Sequence, residues 1–181
     1  MNSQSDGPPR PLLIAALVVA VGAVVAVLIL ATVTQRSRAP EPVAIASAPA
    51  PRADSPECRE LTSALPDKLG EYSRAPVREP APAGTAGWRP DDGGEALILR
   101  CGLDRPLTFV VGAPVQMVDA VQWFKVTDEA DDSRSTWFAV DRPVYVALTL
   151  PAGSGPTPIQ SISTVLSDVL PATAPDPAPA R

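Results

Sequence analysis

The sequence predicts an α+β domain, a small and mostly antiparallel sheet with N- and C-terminal helices, preceded by one transmembrane helix. Three observations carry that expectation. An uninterrupted apolar run lies near the N-terminus, and helix-start signals open and close the region expected to fold. Between those signals, short runs of β-branched and aromatic residues are separated by turn residues.

The apolar run comes first. No charged residue occurs from Pro11 to Gln35, and residues 12–33 are almost wholly Leu, Ile, Val and Ala. About 20 such residues suffice to cross a hydrocarbon core of roughly 30 Å, and a soluble core helix would carry a polar face. A cleaved signal peptide has an apolar region of roughly 7–15 residues, shorter than this one. Ala46-Ser47-Ala48 resembles a cleavage tripeptide but lies well past the run and is followed by Pro49. Residues 1–11 are therefore expected as a short tail and 12–33 as an uncleaved single-pass anchor in the bilayer. Gly22 and Ala26 form a small-xxx-small pair through which the anchor itself could meet another helix.

Orientation draws on two opposing signals. Arg10 flanks one end of the run, Arg36 and Arg38 the other, which leans toward a cytoplasmic C-terminus. Cys58 and Cys101 point the other way. An even count fits one disulfide in an oxidising compartment, although two free thiols would give the same count. A bridge at that spacing would contribute about 4 kcal/mol by chain entropy. The cysteines are given the greater weight, so the C-terminal domain is expected outside the cytoplasm, at the cell membrane.

Residues 34–55 are Pro- and Ala-rich without helical or strand period, and are expected as a semi-extended tether reaching roughly 50 Å. The domain proper is expected over 56–171, with 172–181 a disordered, low-complexity tail. Ser55-Pro56-Glu57 starts the first helix with an N-cap, a Pro at the first helical position and an acid in the first turn. That helix would end near Leu65-Pro66, with a further turn stopping at Gly70. A long Pro/Gly-rich loop is expected over 75–94. Strand candidates are "EALILRC" and "LTFVV" around the loop "GLDRP", then "AVQWFKVT" and "STWFAV" around "DEADDSR", then "VYVALTL". Thr157 to Gln160 reads as a capping box, and Ile159, Ile162, Leu166, Val169 and Leu170 form one apolar stripe on the final helix.

Composition narrows the chemistry. With 15 basic and 20 acidic residues the net charge is −5, and no basic stripe marks a nucleic-acid-binding face. The abundance of Arg, Ala and Pro suggests a GC-rich genome. The chain has no His, which removes Ser-His-Asp and Cys-His sites and His-containing zinc sites. It has no dinucleotide or phosphate-loop motif. Asp128, Glu129, Asp131 and Asp132 lack the ordered spacing of a calcium loop. No cofactor, metal or catalytic residue is expected, and carboxylate-only hydrolysis is the one enzymatic alternative.

The aromatic doublets are the remaining candidates. Trp123-Phe124 and Trp137-Phe138 each send one ring to each sheet face. Pairing across a loop centred near Ala130 would set Trp123 opposite Trp137 and bring the two Phe together on the other side. One pair can enter the core. The other could be covered, or could form a binding strip with Trp88, edged by Asp141 and Arg142. The Asp141-Arg142 pair itself is expected as an exposed bend between strands, with Pro143 opening the next strand.

"LRCG", "VQWF", "DRPVYVALTLP" and the closing "IQSISTVLSDVLP", together with "CREL" and "LPDKL", resemble an actinobacterial family of membrane-anchored or secreted proteins, domain of unknown function 3515. The resemblance covers roughly Cys58 to Pro171 and the anchor. It implies an extracytoplasmic domain and a Cys58–Cys101 bridge, and it carries over no activity. The expected function is a non-catalytic binding or assembly module acting on an envelope protein or cell-wall partner.

Overall fold

The structure, a computed structural model, describes residues 10–36, 41–127 and 133–180. Helix α1 (Arg10–Arg36) is one unit, and the chain from Pro40 onward is a second. At about 1.5 Å per residue α1 runs roughly 40 Å. Its Leu13–Leu30 stretch is long and apolar enough to cross a membrane.

The second unit is an α+β domain. Its elements in chain order are α2 (Pro56–Ala64), β1 (Lys68–Leu69), β2 (Tyr72–Ala75), β3 (Thr85–Pro90), β4 (Leu97–Leu103), β5 (Gln116–Val118), β6 (Val121–Thr127), β7 (Arg134–Ala139), β8 (Tyr145–Pro151) and α3 (Thr157–Val169). The strands form one sheet in the order β1-β2-β3-β4-β8-β7-β6-β5, and every neighbouring pair is antiparallel. Two meanders, β1–β4 and β5–β8, thus meet along one seam where Ile98 faces Thr149 and Cys101 faces Val146.

Period-two patterning sorts the two faces. Leu97, Leu99 and Cys101 of β4, with Val146, Leu148 and Leu150 of β8, enter the main core on the face that α2 and α3 cover. Ile159, Ile162 and Leu166 of α3 and Leu61 of α2 close that core, as the apolar stripe requires. Ser55 caps α2, its hydroxyl accepting the Cys58 N–H at 3.3 Å. Cys58 and Cys101 are disulfide-bonded, which ties α2 to β4 inside this core.

The opposite face is covered by chain without regular structure. Val43 and Ile45 pack there against Ala75 and Ile98. The expected tether is therefore part of the domain from residue 41. Val43 bridges Val77, and the Arg52 N–H bonds the Gly102 carbonyl at 3.1 Å. Gly87 makes room for this arm: a Cβ there would sit 2.9 Å from a Val43 methyl. The expected disordered tail is also docked. Ala178 both donates to the Phe109 carbonyl and accepts from the Val111 N–H, and Asp176 pairs with Arg105 at 3.0 Å.

Four further expectations are revised. "LTFVV" is not a strand: both long sides of β4 are taken, by β3 and β8, so residues 107–111 form turns over Phe124 and Phe138. Residues 75–94 contain a strand, β3, rather than one long loop, and "PDKLGEY" is the β1–β2 hairpin rather than a helical turn. Helix α3 begins with no side-chain cap; Thr157 is its first residue and Pro156 stands at the N-cap.

Candidate functional site

The residues expected to form one binding surface separate. Trp88 on β3 is fully buried, and its indole donates to the Pro66 carbonyl at 2.9 Å. Trp123 on β6 is fully buried beneath α3, where its indole donates to the Ser163 hydroxyl at 2.9 Å. Buried aromatics with satisfied N–H groups are core, so neither belongs to a surface.

Asp141 and Arg142 occupy the bend between β7 and β8, as the sequence places them, but they are not exposed. Arg142 bonds the Asp141 carboxylate at 3.2 Å, the Ala120 carbonyl at 2.8 Å and the Ser167 hydroxyl at 3.3 Å. Asp141 in turn accepts the Gln122 N–H at 3.0 Å. The pair is a buried clamp, not the rim of a binding surface.

Trp137 alone of the five lies partly in solvent. The β6–β7 register is offset from a Trp123–Trp137 pairing, so Phe124 faces Phe138 as anticipated while Trp123 faces Ala139 and Trp137 faces Lys125. Both Trp side chains therefore share the helix face. Trp123 lies under the body of α3, and Trp137 borders its first turn, where the cover ends. The Trp137 indole donates to the Ser135 hydroxyl at 3.0 Å, and the Lys125 ammonium stands 5.4 Å from its ring centroid.

That position opens a groove of about 530 Å³ bounded by β5, β7 and the start of α3, with Trp137, Leu150, Ile159 and Gln160 in its lining. A second cleft of about 640 Å³ lies on the other side of the β8–α3 loop. Residues Pro151 to Gly155 of that loop line both. Gly153 and Gly155 there take φ of +79° and +69°, which lets the loop turn tightly between them. The second cleft is acidic, with Glu71, Asp92 and Glu95 around Tyr72. Burial raises the Tyr72 phenol above its ordinary pKa, and the charges of Asp92, Glu71 and Glu95 add to the rise. Glu95 is held by Arg134 at 2.7 Å.

Both cleft volumes fall within the range of small-ligand and peptide sites. Sequence reasoning missed the acidic cleft because Glu71, Asp92 and Glu95 come from two separate turns that meet only through β2–β3 pairing. The acidic residues Asp128, Glu129, Asp131 and Asp132 lie outside the described residues.

Residues 17–175 match the family described as protein of unknown function DUF3515. The chain belongs to that family. No curated protein and no solved structure matches it. The DUF3515 match starts inside α1 and runs through the docked arm and sheet to Pro175, so the arm over residues 41–55 belongs to the family unit, while the tail contacts of Asp176 and Ala178 lie just past it.

Proposed function

We propose that the protein is a single-pass membrane protein whose disulfide-stapled domain lies outside the cytoplasm and serves as a non-catalytic binding or assembly module of the cell envelope. The observation that carries this reading is the groove beside Trp137. It sets a partly exposed indole next to apolar floor residues, in a chain that has no His for nucleophilic or general-base chemistry. The membrane placement is supported by α1, and the external placement by a buried disulfide of the kind that persists in oxidising compartments.

The test uses the full chain in nanodiscs. Trp88 and Trp123 are sealed, so tryptophan emission that responds to added ligand reports on Trp137. Tryptophan-free envelope peptides or purified cell-wall fragments that bind should shift this emission, and Trp137→Phe should abolish the shift. If neither material binds or shifts it, the reading is wrong. Location is checked separately with a membrane-impermeant thiol reagent on intact cells. The two cysteines are disulfide-bonded, so labelling from outside should appear only after reduction.

A second reading, a carboxylate-dependent hydrolase of envelope material, is favoured by the acidic cleft at Tyr72. Release of soluble fragments from purified cell wall, lost in Asp92→Asn, would support it. The absence of release by the wild-type chain would discard it.

A further inference from the structure

We infer that the open edge of β5 receives an extended segment of a partner polypeptide, which adds a ninth strand to the sheet beside the Trp137 groove. The inference rests on the binding-module reading and names the kind of partner it takes.

The two edges of the sheet are treated differently. On the β1 side the edge strand has two residues, carries exposed Lys68 and packs against α3. Short, charged edges of this sort resist strand addition. On the β5 side the edge reads Gln116-Met117-Val118, without a charge. Met117 is 64% exposed and Val115, two residues before it, is 41% exposed. Outside α1, the exposed large apolar residues among those described are Leu107, Val111, Val115 and Met117, all on the single stretch leading into β5.

The backbone of this edge points outward. Met117 faces Gln122 across the β5–β6 ladder. Gln122 uses its carbonyl to accept the Val140 N–H at 2.9 Å and gives its own N–H to Asp141 at 3.0 Å, both on the far side from β5. Residues facing each other in an antiparallel pair either exchange both bonds or neither. Met117 therefore directs its N–H and carbonyl away from β6, toward the open edge, and the Asp141-Arg142 clamp fixes that register from behind. Asp119, with φ of +51°, turns the chain tightly enough to hold β5 in place.

The charge around the edge selects the occupant. Asp119 is the charged residue of the groove lining, which includes no Lys or Arg, and Val115 and Met117 present exposed apolar side chains on the opposite face of the same edge. A strand with apolar residues at alternate positions and Lys or Arg between them suits this setting. Its main chain would pair with Met117, its apolar side chains would lie beside exposed Met117 and Val115 on one face, and its cations, on the other, would enter the groove toward Asp119.

The experiment uses the full chain in nanodiscs and a fluorescent heptapeptide of alternating lysine and valine, read by polarisation. Met117→Pro deletes the outward N–H while leaving the β5–β6 bonds intact, since Pro is tolerated on edge strands. It should weaken peptide binding about tenfold, the worth of a main-chain bond and its neighbour. Met117→Leu should bind as the wild type does. A heptapeptide N-methylated at alternate residues should not bind. If folded Met117→Pro binds normally while Trp137→Ala does not, strand addition is overturned and the groove reading survives. If neither variant loses binding, both fail. No binding of the lysine–valine peptide, or a dimer of this chain that Met117→Pro dissolves, also overturns the proposal.

Discussion

Arg142 lies against the carboxylate of its own chain neighbour, Asp141, at 3.2 Å, and both side chains are almost sealed from solvent. Around this pair four segments meet: the β5–β6 turn through Ala120, β6 through Gln122, α3 through Ser167, and the tail through the Thr173 N–H on the Asp141 carbonyl. Removing one member of a buried pair strands the other's charge, and that costs about 3–5 kcal/mol. Arg142→Met in the detergent-solubilised full chain should lower the unfolding free energy by that amount in denaturant titrations. A loss below about 1 kcal/mol, the value of a surface pair, would contradict the burial.

The disulfide makes a separate prediction. Cys58 and Cys101 are separated by 43 residues, and closing such a loop stabilises by about 4 kcal/mol in the chain-entropy model. Cys58→Ser with Cys101→Ser should cost a substantial part of that and lower Tm. Because the loop contains β1 to β3, protease cuts in the double variant should appear first in the N-terminal meander. Cuts distributed evenly over both meanders would show that the bridge does not act locally.

Gly102 probes the docked arm. It takes φ of +82°, and a Cβ there would collide with the Arg52–Ala53 peptide. Gly102→Ala therefore adds left-handed strain to overpacking, about 2 kcal/mol or more together. The expected result is a lower Tm with new proteolysis within residues 41–53. Unchanged protection of that arm would show that it is not held against β4.

The tyrosines give a pH signature. Burial raises both Tyr72 and Tyr145 above the ordinary value of 10.0; nearby carboxylates add to the rise at Tyr72, while at Tyr145 Arg105 opposes it and Asp176 adds to it. A raised folded-state pKa favours the protonated fold. Its contribution is fully present below pH 10 and is lost as pH climbs through the folded values. Spectroscopic titration should find both phenols ionising above free tyrosine, with stability falling on the alkaline side. Ordinary ionisation of both would refute their burial.

Much of the domain was legible because local chemistry and global fold agree. Ser55 caps α2 as its type suggests, β8 alternates cleanly, and the α3 stripe packs as drawn. The failures have a common cause. Which neighbour a segment meets is set by strand order, and strand order is not written locally. "LTFVV" has strand composition but no free strand beside it, since β4 is flanked on both sides. Residues 41–55 have tether composition, yet the sheet's second face needs cover and Val43 and Ile45 supply it. At the site, Trp123 and Trp137 were read as equals because the β6–β7 register cannot be seen in the sequence to within a residue or two. That register, with the finite length of α3, decides which indole is sealed and which meets solvent. Asp141 and Arg142 were read as surface because turns usually are; their burial depends on the tail and α3 arriving from far along the chain.

The β4–β8 seam also bears on how the chain is born. Synthesis delivers α2 and the first meander well before β8 exists, so for a time β4 is a bare flank carrying Leu97, Leu99 and Cys101. Cys58 and Cys101 both lie in that early half, so oxidation can lock it before its second neighbour emerges. A nascent chain cross-linked in this way would await one specific strand, and a stall between Leu103 and Tyr145 would leave an adhesive half-domain rather than a harmless fragment.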